Sequence, residues 1–168
     1  MKRVISMVVG FFLLAAIHTA SGSTQNKSKE VYVVYYFGAT SCGFCNVPEN
    51  VEKIKKIKVD FSKRNPDLNI KYVMVCMDKG IEAGLKFIKK YGHWDEISIG
   101  SFYNNELALS YLNKTDIPGV PHVMVYKDLL IKKEKMSVPI IKERKLLVDL
   151  VGGIQIGRWI DSGYPLQN

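Results

Sequence analysis

Two cysteines three positions apart, Cys42 and Cys45, are the residues whose type and spacing predict chemistry most directly. They stand in the segment Gly38 to Cys45 (GATSCGFC), between a strongly apolar run and a stretch with helical spacing. Two thiols at this spacing can close a small disulfide and open it again. The motif therefore predicts redox chemistry.

The two cysteines are expected to play different roles. At the start of a helix, the Cys42 sulfur would face unpaired backbone N–H groups and the positive end of the helix dipole. This setting lowers the pKa of a thiol, so Cys42 is the predicted nucleophile. Cys45 lies one turn further into the helix, where it is expected to be more buried and to resolve the mixed disulfide.

The same two cysteines would also fit a static disulfide or half of a structural zinc site. Zinc takes four ligands, whereas the sequence has three cysteines and no second pair. We therefore expect no metal and no other cofactor, because the dithiol itself would carry the electrons. Cys76 lies inside a predicted strand and is expected to be a buried apolar residue rather than a third redox partner or a ligand.

The first residues have the layout of a secretory signal peptide. Lys2 and Arg3 precede a 14-residue apolar run, Val4 to Ile17, and small residues follow it. The run is shorter than the roughly 18 residues that a membrane span needs, so cleavage after Gly22 is favoured over an uncleaved anchor facing the periplasm. The predicted organisation is a signal peptide over residues 1–22, a flexible lead-in over 23–30, one domain over 31–162 and a C-terminal tail over 163–168.

The net charge of the chain and the compartment to which it would be exported limit the kinds of partner it could bind. The net charge of +8 falls to +6 without Lys2 and Arg3. The remaining lysines are scattered along helix faces without interleaved aromatic residues, a pattern of a solvated surface rather than of a nucleic-acid site. In an oxidising compartment, by default a Gram-negative periplasm, a reactive dithiol makes, breaks or reshuffles disulfides.

The elements that position the cysteines alternate between strand and helix. Val31 to Phe37 is a continuous β-branched and aromatic run, which is typical of a central strand covered on both faces. A helix is predicted from about Cys45 to Asn65 and a second strand over Ile70 to Met77. These three elements would form a right-handed βαβ unit.

The later elements are predicted in less detail. They are a helix over Ile81 to Tyr91 with Ile81, Leu85 and Ile88 inward, an irregular segment over His93 to Ile97, and a helix capped by Asn104 that stops by Asn113. An extended hairpin is predicted from strands Val123 to Tyr126 and Leu146 to Val151, followed by a short last helix through Ile156, Trp159 and Ile160.

A second informative stretch, Ile117 to Tyr126 (IPGVPHVMVY), has Pro121 directly before a predicted strand. A strand can spare the N–H of its first residue, so a proline is tolerated there. His122 follows and would point to the opposite face from Val123. We expect His122 to be structural or solvent-facing; as a ligand beside the two thiols it would instead support copper delivery.

Taken together, these residues resemble the thioredoxin superfamily. The resemblance covers the first strand, Cys42-Gly43-Phe44-Cys45, the long helix, the second strand, the next helix and the Gly119-Val120-Pro121 that opens the following strand. It extends over roughly Val31 to Ile160. It implies an α/β, thioredoxin-like three-layer fold with a central mixed sheet flanked by helices.

The resemblance also implies how a substrate would bind. In this family the proline that matches Pro121 is cis and packs beside the disulfide. The backbone of Val120 would offer its N–H and C=O to an extended substrate segment, and Gly43 and Phe44 would complete the substrate-binding surface.

Two residues depart from the family pattern. Ser41 stands where thioredoxins carry a tryptophan before the first cysteine. Tyr36 stands where they have the buried acid that accepts the proton of the second thiol, so the usual proton acceptor for Cys45 is missing.

The resemblance implies an exported, monomeric thiol:disulfide oxidoreductase that reduces or isomerises disulfides in extracytoplasmic proteins and is recycled by a membrane redox partner. The chain lacks the large helical insertion of dedicated periplasmic oxidases, which favours reduction or isomerisation. The alternatives are a disulfide-donating oxidase, a reductant for cytochrome c maturation, a copper-delivery protein and a binding module with a locked disulfide.

Overall fold

A computed structural model describes residues 28–101, 105–132 and 137–167 of the chain. Its elements are, in chain order, β1 (Lys29–Gly38), α1 (Gly43–Asn46), α2 (Pro48–Arg64), β2 (Ile70–Cys76), α3 (Ile81–Lys89), β3 (Glu96–Ile99), α4 (Glu106–Tyr111), β4 (His122–Ile131), β5 (Ile140–Val151) and α5 (Gly152–Asp161). The predicted signal peptide, residues 1–22, lies outside the described residues.

β1 lies at the centre of a five-stranded mixed sheet with the order β3-β2-β1-β4-β5. It pairs parallel with β2 and antiparallel with β4, so that Gly38 lies opposite Cys76 and Phe37 lies opposite His122. The long hairpin of β4 and β5 completes one side of the sheet. The predicted central strand, the βαβ unit and the extended hairpin are all confirmed.

Helices cover both faces of the sheet and make three layers. The chain moves from β1 through β2 to β3 in one direction, and right-handed crossovers then put α2 and α3 on the same face. Together with α5 they bury Tyr36 of β1 in the larger part of the core. On the other face, Ala108 of α4 and Leu112 cover Phe37 in a smaller cluster. The fold class predicted from the sequence is confirmed.

The long helix predicted after the cysteines is two helices. α1 ends at Asn46, Val47 has an extended backbone, and α2 begins with Pro48 at its first position. The residue before a proline is biased away from the helical conformation, which explains the break at Val47. α1 is therefore a separate short turn that carries the cysteines.

Of the three residues predicted to face inward on α3, Ile88 is buried as predicted, whereas Ile81 and Leu85 are not. Ile81 is 72% exposed and Leu85 is 40% exposed, whereas Gly84, Phe87 and Ile88 are buried. The reason is the edge strand β3, which the sequence analysis treated as irregular. β3 pairs parallel with β2, and Ile99 at its end packs so close to Gly84 that a side chain there would collide with it.

Smaller differences occur at three other positions. The N-cap of α4 is Asn105, whose side chain accepts a hydrogen bond from the backbone N–H of Ala108; the predicted cap, Asn104, lies outside the described residues. β1 begins at Lys29, inside the predicted lead-in. The predicted tail packs on the core, since Tyr164 is buried and the Trp159 Nε1–H donates to the Pro165 carbonyl over 2.9 Å.

None of the helices in the described ranges is long and apolar enough to cross a membrane.

Candidate active site

The two cysteines form a disulfide at the end of β1. Their Cα atoms are 5.2 Å apart, and Cys42 is the N-cap of α1. The backbone N–H of Cys45 donates to the Cys42 sulfur over 3.1 Å, so the capping turn directs an N–H group at this sulfur. Cys42 is partly exposed, whereas Cys45 is fully buried. The predicted difference in burial between the two cysteines is confirmed.

A buried carboxylate anchors the loop that delivers Cys42. Asp78 is 8% exposed and accepts hydrogen bonds from the Thr40 backbone N–H at 3.1 and 3.0 Å and from the Thr40 hydroxyl. Asp78 was not among the site residues predicted from the sequence. Its position in the sequence, two residues beyond β2, could have indicated it. The parallel strands β1 and β2 end at the same edge of the sheet, so residues that follow β2 lie near the loop that follows β1.

The loop before β4 lies against the disulfide from the other side. The Val120–Pro121 peptide bond is cis, as the resemblance implied. The carbonyl oxygen of Val120 is 3.4 Å from the Cys42 sulfur, and the backbone N–H of Gly152 donates to the Pro121 carbonyl over 2.8 Å. The structure thus brings Cys42, Cys45, Val120 and Pro121 together.

An open groove of about 740 Å³ runs beside these residues between α2, the Val120–Pro121 loop and the first turn of α5. Phe44 and Ile154 stand on its walls and are 70% and 72% exposed. Gly43 adjoins open space, since a Cβ built there meets no atom within 4 Å. Three of the four residues predicted to bind a substrate, Phe44, Val120 and Pro121, therefore line one accessible groove, while Gly43 is not among its lining residues.

Two tyrosines lie behind Cys45 at the place where thioredoxins carry an acid. The Tyr36 and Tyr91 hydroxyls are 2.9 Å apart, and the Tyr91 hydroxyl donates to the Cys45 carbonyl. Burial raises the pKa of Tyr91 to about 12 and raises the pKa of Tyr36 as well. Both phenols are neutral at physiological pH, so neither can take a proton from Cys45 as the family's carboxylate does.

Cys76 is fully buried at the end of β2 and is not part of the disulfide. Its thiol donates to the Asp78 carboxylate over 2.9 Å. Burial, followed by this hydrogen bond, raises the pKa of Cys76 to about 12. The thiol is therefore protonated and unreactive in the folded chain, and the expectation of a buried apolar cysteine is confirmed.

His122 is fully buried, so the expectation that it could face solvent is wrong and the structural reading holds. One ring nitrogen contacts the Asp149 carboxylate and the other lies 3.2 Å from the Gly119 carbonyl. Both nitrogens are already engaged within the protein. In the part of the chain that is described, no three His, Cys, Asp or Glu side chains form a cluster that could hold a metal ion.

Comparison with known proteins gives matches at the level of structure alone. No family profile and no curated protein matches the sequence. The thioredoxin domain of a thiol-disulfide oxidoreductase from Bacteroides vulgatus is 16% identical, with a TM-score of 0.48 over 80% of this chain and 79% of that one. A thiol:disulfide interchange protein from a Bacteroides species is also 16% identical, with a TM-score of 0.48 over 78% of this chain and 71% of its own. StoA from Bacillus subtilis is 19% identical, with a TM-score of 0.38 over 77% and 81% of the two chains.

The fold is assigned from the features of the chain itself. A mixed sheet is flanked by helices on both faces, a disulfide lies at the end of its central strand, and a cis-proline opens the neighbouring antiparallel strand. These are the features that the resemblance implied. The chain has a thioredoxin-like fold.

Proposed function

We propose that the chain is an exported thiol:disulfide oxidoreductase that reduces or isomerises disulfides in extracytoplasmic proteins. The observation that carries this proposal is the pairing of a partly exposed Cys42 with a buried Cys45 beside the Val120 carbonyl. A disulfide with only a static structural role would not need an accessible first sulfur beside a groove that Phe44 and Val120 line.

The proposed reaction begins with the reduced pair. The Cys42 thiolate attacks one sulfur of a substrate disulfide; the substrate S–S bond breaks, and a mixed disulfide forms as one substrate thiolate leaves. The Cys45 thiolate then attacks the Cys42 sulfur, which releases the second substrate thiolate and closes the Cys42–Cys45 disulfide. Two electrons pass to the substrate, and its two thiolates take up two protons. In isomerisation a substrate thiolate displaces Cys42 instead.

Three features of the site serve this reaction. The Cys45 N–H points at the Cys42 sulfur and favours its thiolate, because a hydrogen bond to the charged form stabilises that form. The Val120 backbone and the exposed Phe44 ring give a substrate segment a polar edge and an apolar contact. The burial of Cys45 delays its reaction until Cys42 has bound the substrate.

The proposal includes the cellular setting. Residues 1–22 would direct export and be removed, which leaves a domain whose first strand begins at Lys29 and whose core includes Tyr164 of the predicted tail. The oxidised pair needs a dithiol reductant for each turnover, which we assign to a membrane redox partner. The chain would act as a monomer on protein substrates.

Trapping of the mixed disulfide tests the reaction directly. With Cys45→Ser, Cys42 can attack a substrate disulfide but cannot be released from the mixed disulfide. A covalent complex therefore accumulates, and a reductant should cleave it. Cys42→Ser is the matched control and should trap nothing. If neither variant forms a complex, or if both form it equally, the assigned roles are wrong.

The reduction potential tests the direction. Equilibration of the mature chain in glutathione buffers, with Cys76→Ser as a control, should give a value near or below about −230 mV for a reductant. A value near about −120 mV would make the chain a disulfide donor. A disulfide that resists reduction below about −300 mV would favour a binding module with a locked disulfide.

A further inference from the structure

His122 occupies a position that packing alone does not explain. It is the first residue of β4, directly after Pro121, and its side chain is 0% exposed. The ring of Phe37 lies edge-on to it with the ring centres 6.0 Å apart. A buried imidazole in an apolar setting is costly unless both of its nitrogens have hydrogen-bond partners.

Both nitrogens of His122 have partners that accept hydrogen bonds. Nε2 contacts the Asp149 carboxylate of β5, and Nδ1 lies 3.2 Å from the Gly119 carbonyl oxygen. A carbonyl cannot donate, so the Gly119 contact requires a proton on Nδ1. With its proton on Nδ1 the ring donates to the Gly119 carbonyl, and the contact of Nε2 with Asp149 holds the ring in its orientation.

The Gly119 contact restrains the loop that touches the disulfide. Gly119 directly precedes Val120, whose carbonyl oxygen is 3.4 Å from the Cys42 sulfur. On the other side of Val120, the Pro121 carbonyl accepts the N–H of Gly152. Both neighbours of Val120 are thus held in place: the His122 side chain contacts Gly119, and the backbone at the start of α5 binds Pro121.

We propose that His122 is a positioning residue for thiol–disulfide exchange, which holds the Val120 backbone in register with Cys42 through the Gly119 carbonyl. This inference rests on the proposed function and deepens it. Asp149 orients the ring, the ring fixes Gly119, and the adjacent Val120 is presented to the substrate segment. His122 itself touches neither sulfur nor substrate in this arrangement.

The proton on Nδ1 can be measured in the unaltered protein. Long-range proton–nitrogen NMR spectra of the mature chain at neutral pH should show His122 with its Nδ1 protonated. A His122 ring with a bare Nδ1 would overturn the proposal, because the contact with Gly119 would then join two acceptors.

Two variants separate the two contacts of the ring. In His122→Asn the amide nitrogen can occupy the place of Nδ1 and keep the Gly119 contact, while the Asp149 contact is lost. In His122→Gln the longer side chain can reach Asp149, while the Gly119 contact is lost. Both remove the ring from the core, so each serves as the packing control for the other.

The readout is the rate at which each reduced protein reacts with a peptide disulfide and with a small aromatic disulfide. Relative to His122→Asn, His122→Gln should react about tenfold more slowly with the peptide, which corresponds to about 1.4 kcal/mol. The rates with the small disulfide should agree within about twofold, because the small molecule does not need the Val120 backbone. The proposal would be overturned if both variants reacted with the peptide equally slowly. It would also be overturned if the loss of rate in each variant simply followed its loss of folding stability.

Failure of the proposed function would be distinguishable. If the unaltered chain does not react with the peptide disulfide at all, the function is wrong, whereas the NMR measurement still decides whether His122 restrains the loop. If the variants do not fold, the NMR result on the unaltered protein alone supports or overturns the restraint.

Discussion

The Tyr91 hydroxyl donates a hydrogen bond to the backbone carbonyl of Cys45, 46 residues away in the sequence. Tyr91 is 1% exposed, and its hydroxyl also contacts that of Tyr36 at 2.9 Å. The turn after α3 thereby supports the short helix α1, which carries Cys45. Behind the second cysteine the chain has two neutral, mutually bonded phenols.

Tyr91→Phe is expected to destabilise the folded protein. The change removes one hydroxyl but leaves the buried Tyr36 hydroxyl without its partner, at a cost of about 1–3 kcal/mol. Unfolding in urea, followed by fluorescence with the disulfide intact, measures the change in free energy. Tyr36→Phe is the control: Tyr91 keeps its bond to Cys45, so the loss should be only about 0.5–1.5 kcal/mol. A larger loss in Tyr36→Phe than in Tyr91→Phe would contradict this account.

Cys76 is expected to resist alkylation in the folded state. Burial raises its pKa to about 12, so its thiolate fraction at pH 8 is roughly one in ten thousand. Its reactivity should rise about tenfold with each pH unit and level off only near that value. In reduced protein treated with iodoacetamide at pH 8, mass spectrometry of the digested chain should find the label on Cys42 first.

The matched control for Cys76 is the same labelling in urea, where all three cysteines should react. In addition, Cys76→Ser should leave the reduction potential of the Cys42–Cys45 pair unchanged, because Cys76 takes no part in the exchange. Rapid labelling of Cys76 in the native protein would show that β2 opens or that the thiol has a redox role.

Arg144→Met is expected to be strongly destabilising. Asp128 is 2% exposed, and Arg144 donates to both of its carboxylate oxygens, over 2.7 Å from Nε and 2.5 Å from Nη2. The guanidinium also lies 5.3 Å from the ring centres of Tyr111 and Tyr126. Its removal leaves a buried carboxylate without a partner, at a cost of about 3–5 kcal/mol in urea unfolding.

The double variant Asp128→Asn with Arg144→Met provides the control. It removes both charges, so it should recover a substantial part of the stability lost in Arg144→Met. If the double variant recovers no stability relative to Arg144→Met, the loss comes from the packing of the arginine on the tyrosines.

Two glycine-to-alanine changes should have opposite effects on stability. Alanine favours a helix interior over glycine by about 0.8–1.0 kcal/mol. At Gly157 of α5 the added Cβ meets only the Lys53 side chain, at 3.6 Å, so Gly157→Ala should be stabilising. At Gly84 of α3 the Cβ would lie 2.5 Å from the Ile99 side chain, and overpacking should cost about 1–3 kcal/mol. Thermal unfolding measures whether each variant is more or less stable than the parent protein. A stabilised Gly84→Ala would mean that β3 can move to make room for the added Cβ.

The sequence by itself determined the order of the elements around the redox pair. The apolar run of β1, the Cys-x-x-Cys, the following amphipathic helix and the Gly-Val-Pro before β4 are local patterns, and each can be recognised within a few residues. Handedness then puts β2 beside β1 without further information. The burial of Cys76 was predictable for the same reason, since it continues an apolar strand.

Only the tertiary structure determined which groups support the disulfide. Asp78 binds Thr40, 38 residues away, and Tyr91 binds Cys45, 46 residues away. The ring of His122 contacts Asp149, 27 residues away. The edge strand β3 has four residues, too few for a clear alternation. Its contact with Gly84 shifts the buried face of α3 so that Gly84 and Phe87 join the predicted Ile88, while Ile81 and Leu85 are exposed. Local periodicity shows where chain segments form, whereas the partners of buried polar groups depend on how those segments pack.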